Sequence, residues 1–200
     1  MSAFQSGKKV ESDAYQRLKP LISKWSDNGQ FILTDKGPMS KLLQEIVGDL
    51  AMNRGGEVFS IELKAEVKNR GNIFFEEWSN YPCDEKTIPN PGWGRKSNAT
   101  FIWYYFLDTD DLYIFRRLTL QQWVYGNRVP TQAGFADIIT GGVIFDPQHQ
   151  KQIQQKVQNK YDQLNTTVGL IIPISFVTAR VKHKHVRVGE FLQQASVAAA

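Results

Sequence analysis

Apolar residues recur at helical spacing from Ala14 to Trp25, with Leu18, Leu21, Ile22 and Trp25 on one side and Ser12 or Asp13 placed to cap the first turn. Pro20 falls inside this pattern and predicts a kink or division, because proline lacks the backbone N–H and crowds the preceding turn. A second helix is predicted over 40–47, SKLLQEIV, with Leu42, Leu43, Ile46 and Val47 on one side and Gly48 at its end. The period then changes. DLAMN, the turn-rich NRGGE and the alternating EVFSIELKAE predict two strands joined by a hairpin, and NIFFEEW after VKNRG predicts a third strand beside them. Pro82, Pro89, Pro91, Gly92 and Gly94 predict a long loop after it.

Further along, TFIWYYFLD and LYIFRR flank the turn TDD and predict another strand pair, after which Thr119 is placed to cap the short helical pattern LQQWV. A polar helix is predicted over 147–164, capped by Asp146, from the spacing of Ile153, Val157, Tyr161 and Leu164. VGLIIPISFV predicts a buried strand in which Pro173 marks an edge position or a bulge. Val129 to Phe145, a mixture of small and apolar residues, suits a specificity loop or a dimer contact equally. The whole predicts an α/β chain with one domain over 1–190 and a frayed tail over 191–200.

Composition supports one compact domain, since 200 residues that are 42% hydrophobic and 12% aromatic can bury a substantial core. The longest apolar runs, FIWYYF and VGLIIPI, fall far short of the ~20 residues of a membrane helix. MSAFQSGKKVESD lacks the apolar stretch of a signal peptide, so a cytoplasmic location is expected. The lone Cys83 rules out an intramolecular disulfide and a zinc site of paired cysteines. A net charge of +4 says little by itself, but its distribution says more. Basic residues gather at Lys68 and Arg70, at Arg95 and Lys96, and in RVKHKHVR from Arg180 to Arg187. These suit contacts to backbone phosphates, or equally solvated loops and an edge strand protected by charge.

Within FSIELKAE, strand alternation puts Phe59, Ile61, Leu63 and Ala65 on one face and Ser60, Glu62, Lys64 and Glu66 on the other. A carboxylate and an amine at neighbouring same-face positions of a rigid strand can bind a hard cation and orient a water beside it. A hairpin turning at NRGG brings Asp49 alongside the middle of the second strand, so that its carboxylate and that of Glu62 converge; the Leu63 carbonyl supplies a further oxygen. Glu-x-Lys is a common tripeptide, and Glu66-Val67-Lys68 repeats it, but Glu62 and Lys64 lie mid-strand, where the backbone is most rigid. On residue pattern alone, an exposed strand bearing cross-strand ion pairs is the favoured reading. His149, His183 and His185 lack the spacing of a metal cluster, and His183 and His185 share the face of a basic strand.

LQEIVGDLAMN, FSIELKAE and GNIFFEEWSN, followed by PGW and IWYYFLD, together resemble the PD-(D/E)xK nuclease superfamily, especially its phage and prokaryotic endonuclease members. The resemblance runs over 40–125, with glycine instead of proline before the first acid. It implies a restriction-endonuclease-like αβββαβ core, with a central mixed β-sheet flanked by helices. It also implies a Mg²⁺-dependent endonuclease acting on DNA, with Mn²⁺ able to substitute. Asp49, Glu62 and the Leu63 carbonyl would then hold metal, Lys64 would position the water, and Lys68, Arg70, Arg95 and Lys96 would bind DNA. Glu11 is the candidate for an additional acid from the first helix, and Glu76 for a cross-strand partner of Lys64. Homodimerisation is compatible with cutting both strands of a duplex. The main alternative is a catalytically inactive nucleic-acid-binding module on a nuclease-like scaffold, and a protein-interaction domain is a third reading.

Overall fold

The computed structural model describes residues 3–82, 90–125, 154–159 and 165–197. Val129 to Phe145 and the last three alanines lie outside them. The chain opens with α1 (Ala3–Trp25), β1 (Phe31–Leu33), α2 (Ser40–Val47), β2 (Leu50–Arg54), β3 (Glu57–Glu66) and β4 (Asn72–Pro82). It continues with β5 (Asn90–Pro91), α3 (Trp93–Lys96), β6 (Phe101–Phe106), β7 (Asp111–Arg116) and α4 (Arg117–Tyr125). The final described elements are β8 (Gln154–Asn159), β9 (Asn165–Pro173), α5 (Ile174–Thr178), β10 (His183–Arg187) and α6 (Val188–Val197).

These elements form two compact units, one of Met1–Arg70, Ser97–Arg117 and His183–Ala200, the other of Gly71–Lys96 and Leu118–Lys182. The first holds a six-stranded sheet in the order β1-β2-β3-β6-β7-β10. It is mixed, because β3 runs parallel to β6 while the other neighbours are antiparallel. Alternation along β3 buries Ile61 and Leu63 in the same cluster as Ala14, Leu18, Leu21 and Ile22 of α1. Trp25 meets Trp103 and Phe191 edge-on, each with ring centroids 5.7 Å apart, which ties α1 to β6 and α6. The expected α/β class with a central mixed sheet flanked by helices is therefore the class observed. The hairpin between β2 and β3 is also as expected: Arg54 faces Glu57 across Gly55 and Gly56, whose φ values of 63° and 79° suit a two-residue turn.

The second unit holds a four-stranded antiparallel sheet in the order β5-β4-β9-β8. Its buried residues include Ile73, Phe75, Val168, Leu170 and Ile172. Here the structure corrects the expected third neighbour of the hairpin. NIFFEEW belongs to β4, which pairs β5 and β9, while the open side of β3 is taken by β6. FIWYYF is buried along almost its whole length, as suits a central strand in parallel pairing that is covered on both faces.

Other expectations change as well. α1 starts at Ala3, ahead of the expected caps Ser12 and Asp13, and runs through Pro20 without dividing. α4 starts at Arg117, ahead of Thr119. Part of the helix expected over 147–164 is instead β8, and the remainder of that span lies outside the described residues. Pairing with the free edge of β9 satisfies the backbone of this polar stretch, which has few apolar positions to hold a helix against a core. Pro173 lies in no bulge: it is the last residue of β9 and pairs with Asn72 of β4, while among the described residues the pairing of β9 with β8 reaches only as far as Ile171. RVKHKHVR does contain an edge strand, β10. No helix among the described residues is long and apolar enough to cross a membrane.

Candidate active site

Asp49 sits where α2 gives way to β2, and its position is set by backbone. Gly48, with φ of 87°, turns the chain so closely against β3 that a Cβ there would stand 2.8 Å from the Ile61 carbonyl oxygen. The Asp49 N–H donates to that carbonyl at 2.8 Å, and the Thr34 N–H donates to the Asp49 carbonyl at 3.1 Å. The buried Thr34 hydroxyl donates to the Gly48 carbonyl. The side chain is fixed too, since the Leu63 N–H donates to Asp49 Oδ2 at 2.8 Å.

Glu62 and Lys64 lie on the face of β3 opposite Ile61 and Leu63, and Lys64 Nζ stands 2.9 Å from Glu62 Oε1. Glu11 of α1 reaches the same amine, with Oε1 at 3.9 Å. Ser97 Oγ lies 3.4 Å from Glu62 Oε2, and both residues are buried. Asp49, Glu62 and Lys64 thus converge, near enough for Lys64 and Glu62 each to alter the titration of Asp49.

Burial is the main reason that the Asp49 carboxyl is pushed up to about 7; Lys64 opposes the rise, the negative charge of Glu62 adds to it, and the Leu63 N–H offsets part of it. Burial acts to lower the Lys64 amine, but Glu62, Asp49 and Glu11 outweigh it and hold the group protonated well above the usual lysine range. Without metal, Lys64 is therefore a cation and not a base.

A stability prediction follows from Asp49. Its folded pKa of about 7 lies above that of an ordinary aspartate, so the stabilisation it contributes is complete below about pH 4 and is lost as pH rises through 7. Lys64 stays charged in the folded and unfolded chain throughout that window. Asp49→Asn, which keeps an acceptor for the Leu63 N–H, should raise the melting temperature of metal-free protein at pH 8 by about 5 °C. The gain should vanish near pH 4, and thermal unfolding across that range reads it directly.

The donors gathered here are oxygens, which suit a hard cation that keeps part of its water shell and do not suit zinc. Among the described residues no group of three or more His, Cys, Asp or Glu side chains is arranged to hold a metal ion. A cation here would rest on Asp49 and Glu62, completed by backbone oxygen and water. The residues fit Mg²⁺ on those terms, and the raised Asp49 pKa marks a carboxylate whose ionised form still lacks compensating charge.

Of the basic residues singled out, Lys68, Arg70 and Lys96 are exposed. Arg95 is not a loop residue facing solvent. It lies in α3 with its side chain 7% exposed, its guanidinium 3.6 Å from the buried Glu77 carboxylate and stacked over Trp78 at 4.4 Å. An internal carboxylate and an aromatic face occupy the cation, so Arg95 has no reach to an external phosphate. Glu76 is not the cross-strand neighbour of Lys64: Lys64 pairs with Tyr104, whereas Glu76 lies in β4, pairs with Gly169 and accepts a hydrogen bond from the Ser79 hydroxyl. His185 stacks on Tyr113 and meets Asp111 at 2.8 Å, and His183 lies against Phe115, so both histidines are engaged along β10.

Sequence reasoning missed Thr34 and the segment from Ser97 to Thr100. Nothing in SNAT marks it as more than a loop. In the folded unit Asn98 Nδ2 donates to the Glu45 carbonyl at 3.3 Å, and the Thr100 N–H donates to Ser60 Oγ at 2.8 Å.

No family model and no curated protein matches the chain. Among solved structures, the bacterial homing endonuclease I-Ssp6803I is similar over 71% of this chain and 96% of its own, with 16% sequence identity and a TM-score of 0.39.

Proposed function

We propose that this chain is a metal-dependent endonuclease that hydrolyses DNA phosphodiester bonds, with Asp49 and Glu62 as metal ligands and Lys64 as the residue that orients water and phosphate. The observation carrying this reading is the convergence of two acids and one amine at a single locus of β2 and β3. Bound Mg²⁺ would supply Lewis acidity at the phosphoryl oxygen and lower the pKa of a water. The protein's part is orientation and charge. Lys64, held protonated by its acidic neighbours, steadies the negative charge that builds on the phosphate. Glu62 holds the Lys64 amine at 2.9 Å. The Leu63 carbonyl serves as the further ligand; a strand residue turns its N–H and C=O to the same side, and the Leu63 N–H faces Asp49.

Lys68, Arg70 and Lys96 bind backbone phosphates in this reading. Replacing Lys68 and Arg70 together by alanine should weaken DNA binding in EDTA and reduce the slope of log affinity against log salt by about 1.8, near 0.9 for each phosphate that is no longer neutralised. Fluorescence anisotropy over a salt series measures it, and an unchanged slope removes these two side chains from the interface.

Incubating supercoiled plasmid, branched duplex and single-stranded DNA with the protein in Mg²⁺, Mn²⁺ or EDTA tests the activity. Cleavage in Mg²⁺ that EDTA abolishes is the expected result. Salt-sensitive DNA binding with no cleavage under any metal would instead identify an inactive nucleic-acid-binding module.

A further inference from the structure

The residues from Ser97 to Thr100 form a strap against α2, Gly48 and β3, the segments that lead to or carry the site residues. Asn98 ties to the last turn of α2 through the Glu45 carbonyl. The Ala99 methyl packs against Gly48, 3.2 Å from where a Cβ on that glycine would stand. Thr100 meets Ser60 of β3, with the two hydroxyl oxygens 3.1 Å apart. Ser97 is the member of this strap that reaches a site carboxylate, at 3.4 Å from Glu62 Oε2.

We infer that Ser97 is a positioning residue for Glu62, holding the carboxylate in the orientation that a divalent cation needs. The inference rests on the metal-dependent reading above. The direction of the hydrogen bonds follows from the donors present. The Ala99 N–H donates to Ser97 Oγ at 3.3 Å, so the serine hydrogen is left for Glu62 Oε2. Lys64 holds the other oxygen, Oε1, at 2.9 Å. The carboxylate is thus gripped at both oxygens, by a cation on one and a hydroxyl on the other. Rotation about the last bond of a glutamate is otherwise soft, with no sharp rotamer to define it. With Ser97 6% exposed and Glu62 9% exposed, bulk water is poorly placed to substitute for the hydroxyl. Each oxygen keeps a lone pair beyond the one used, so the grip orients the group without exhausting its capacity to bind metal.

Titrating Mn²⁺ into the full-length protein, followed by the paramagnetic signal of the free ion, tests this without reference to catalysis. Ser97→Ala should weaken Mn²⁺ binding about tenfold, in the range found when partners that orient metal ligands are removed. Its DNA affinity in EDTA should stay near the wild-type value, and its melting temperature should fall by only about 5 °C, because the buried Ala99 N–H loses its acceptor. Ser97→Thr, which keeps the hydroxyl, should recover most of the loss, and Asn98→Ala, which alters the same strap elsewhere, should bind Mn²⁺ normally. Wild-type affinity in Ser97→Ala overturns the inference and leaves the nuclease reading standing. Equal weakening in Ser97→Thr and Asn98→Ala also overturns it, because packing of the strap and not the hydroxyl would then set the affinity. A wild-type chain that takes up no Mn²⁺ removes both readings together.

Discussion

Glu62→Ala and Lys64→Ala are each expected to lower Mg²⁺-dependent DNA cleavage by about 10³-fold, the scale on which a preorganised electrostatic group at a reacting centre contributes. The two losses have different origins. Glu62→Ala removes a proposed metal ligand and frees the Lys64 amine from the ion pair at 2.9 Å that directs it. Lys64→Ala leaves Asp49, Glu62 and Glu11 without the cation that offsets them. Since Lys64 is the largest influence lowering the Asp49 pKa, its loss moves that carboxyl above about 7 and keeps it protonated at a pH where the proposed role needs it ionised. Residual cleavage by Lys64→Ala should therefore rise toward higher pH than that of the wild type. DNA affinity measured in EDTA should be nearly unchanged in both variants, which separates a lost reaction from a lost interface. Cleavage at wild-type rates in either variant would place the chemistry elsewhere.

The second large effect is expected at a residue with no side chain. Gly48→Ala should destabilise the protein by about 3 kcal/mol and lower its melting temperature by roughly 10 °C. Its φ of 87° and ψ of −154° lie in a region that is essentially restricted to glycine. The added methyl would also stand 2.8 Å from the Ile61 oxygen and 3.1 Å from its carbon, and those are backbone atoms of a central strand that cannot swing aside. Relief requires moving residues 48 and 49 away from β3, which breaks the alignment of the Asp49 carboxylate with the Leu63 N–H. Metal affinity should fall along with stability. Gly55→Ala is the matched control: its φ of 63° is also positive, but nothing lies within 4 Å of the added carbon, so a loss of only about 1 kcal/mol is expected. Thermal unfolding and Mn²⁺ titration of the pair distinguish backbone strain alone from strain that displaces Asp49.

The hairpin was legible because its signals are local. Two glycines specify a tight turn, alternation sorts Ile61 and Leu63 from Glu62 and Lys64, and the register that pairs Leu50 with Ile61 brings Asp49 level with the acid and the amine. The partner of the strand next to that hairpin was not legible. NIFFEEW and FIWYYF both read as strands, and only assembly decides that the second pairs with β3 while the first builds another sheet. The burial of Arg95 escapes the sequence for a related reason: a basic residue in a Gly/Pro-rich stretch looks exposed until a buried Glu77 and Trp78 are found beside it.

What the sequence alone determined, then, is the set of interactions between residues close along the chain: the turn of the hairpin, the two faces of β3, and the presence of Asp49, Glu62 and Lys64 within reach of one another. The tertiary structure decided what depends on distant segments. It set the order of strands, the pairing of polar β8 with β9, the inward turn of Arg95, and the delivery of Glu11 and Ser97 to Lys64 and Glu62. The physical reason is that a strand's period and a turn's dihedral angles are fixed by nearest neighbours, whereas the choice among competing apolar edges and buried charges is made only when the whole core packs.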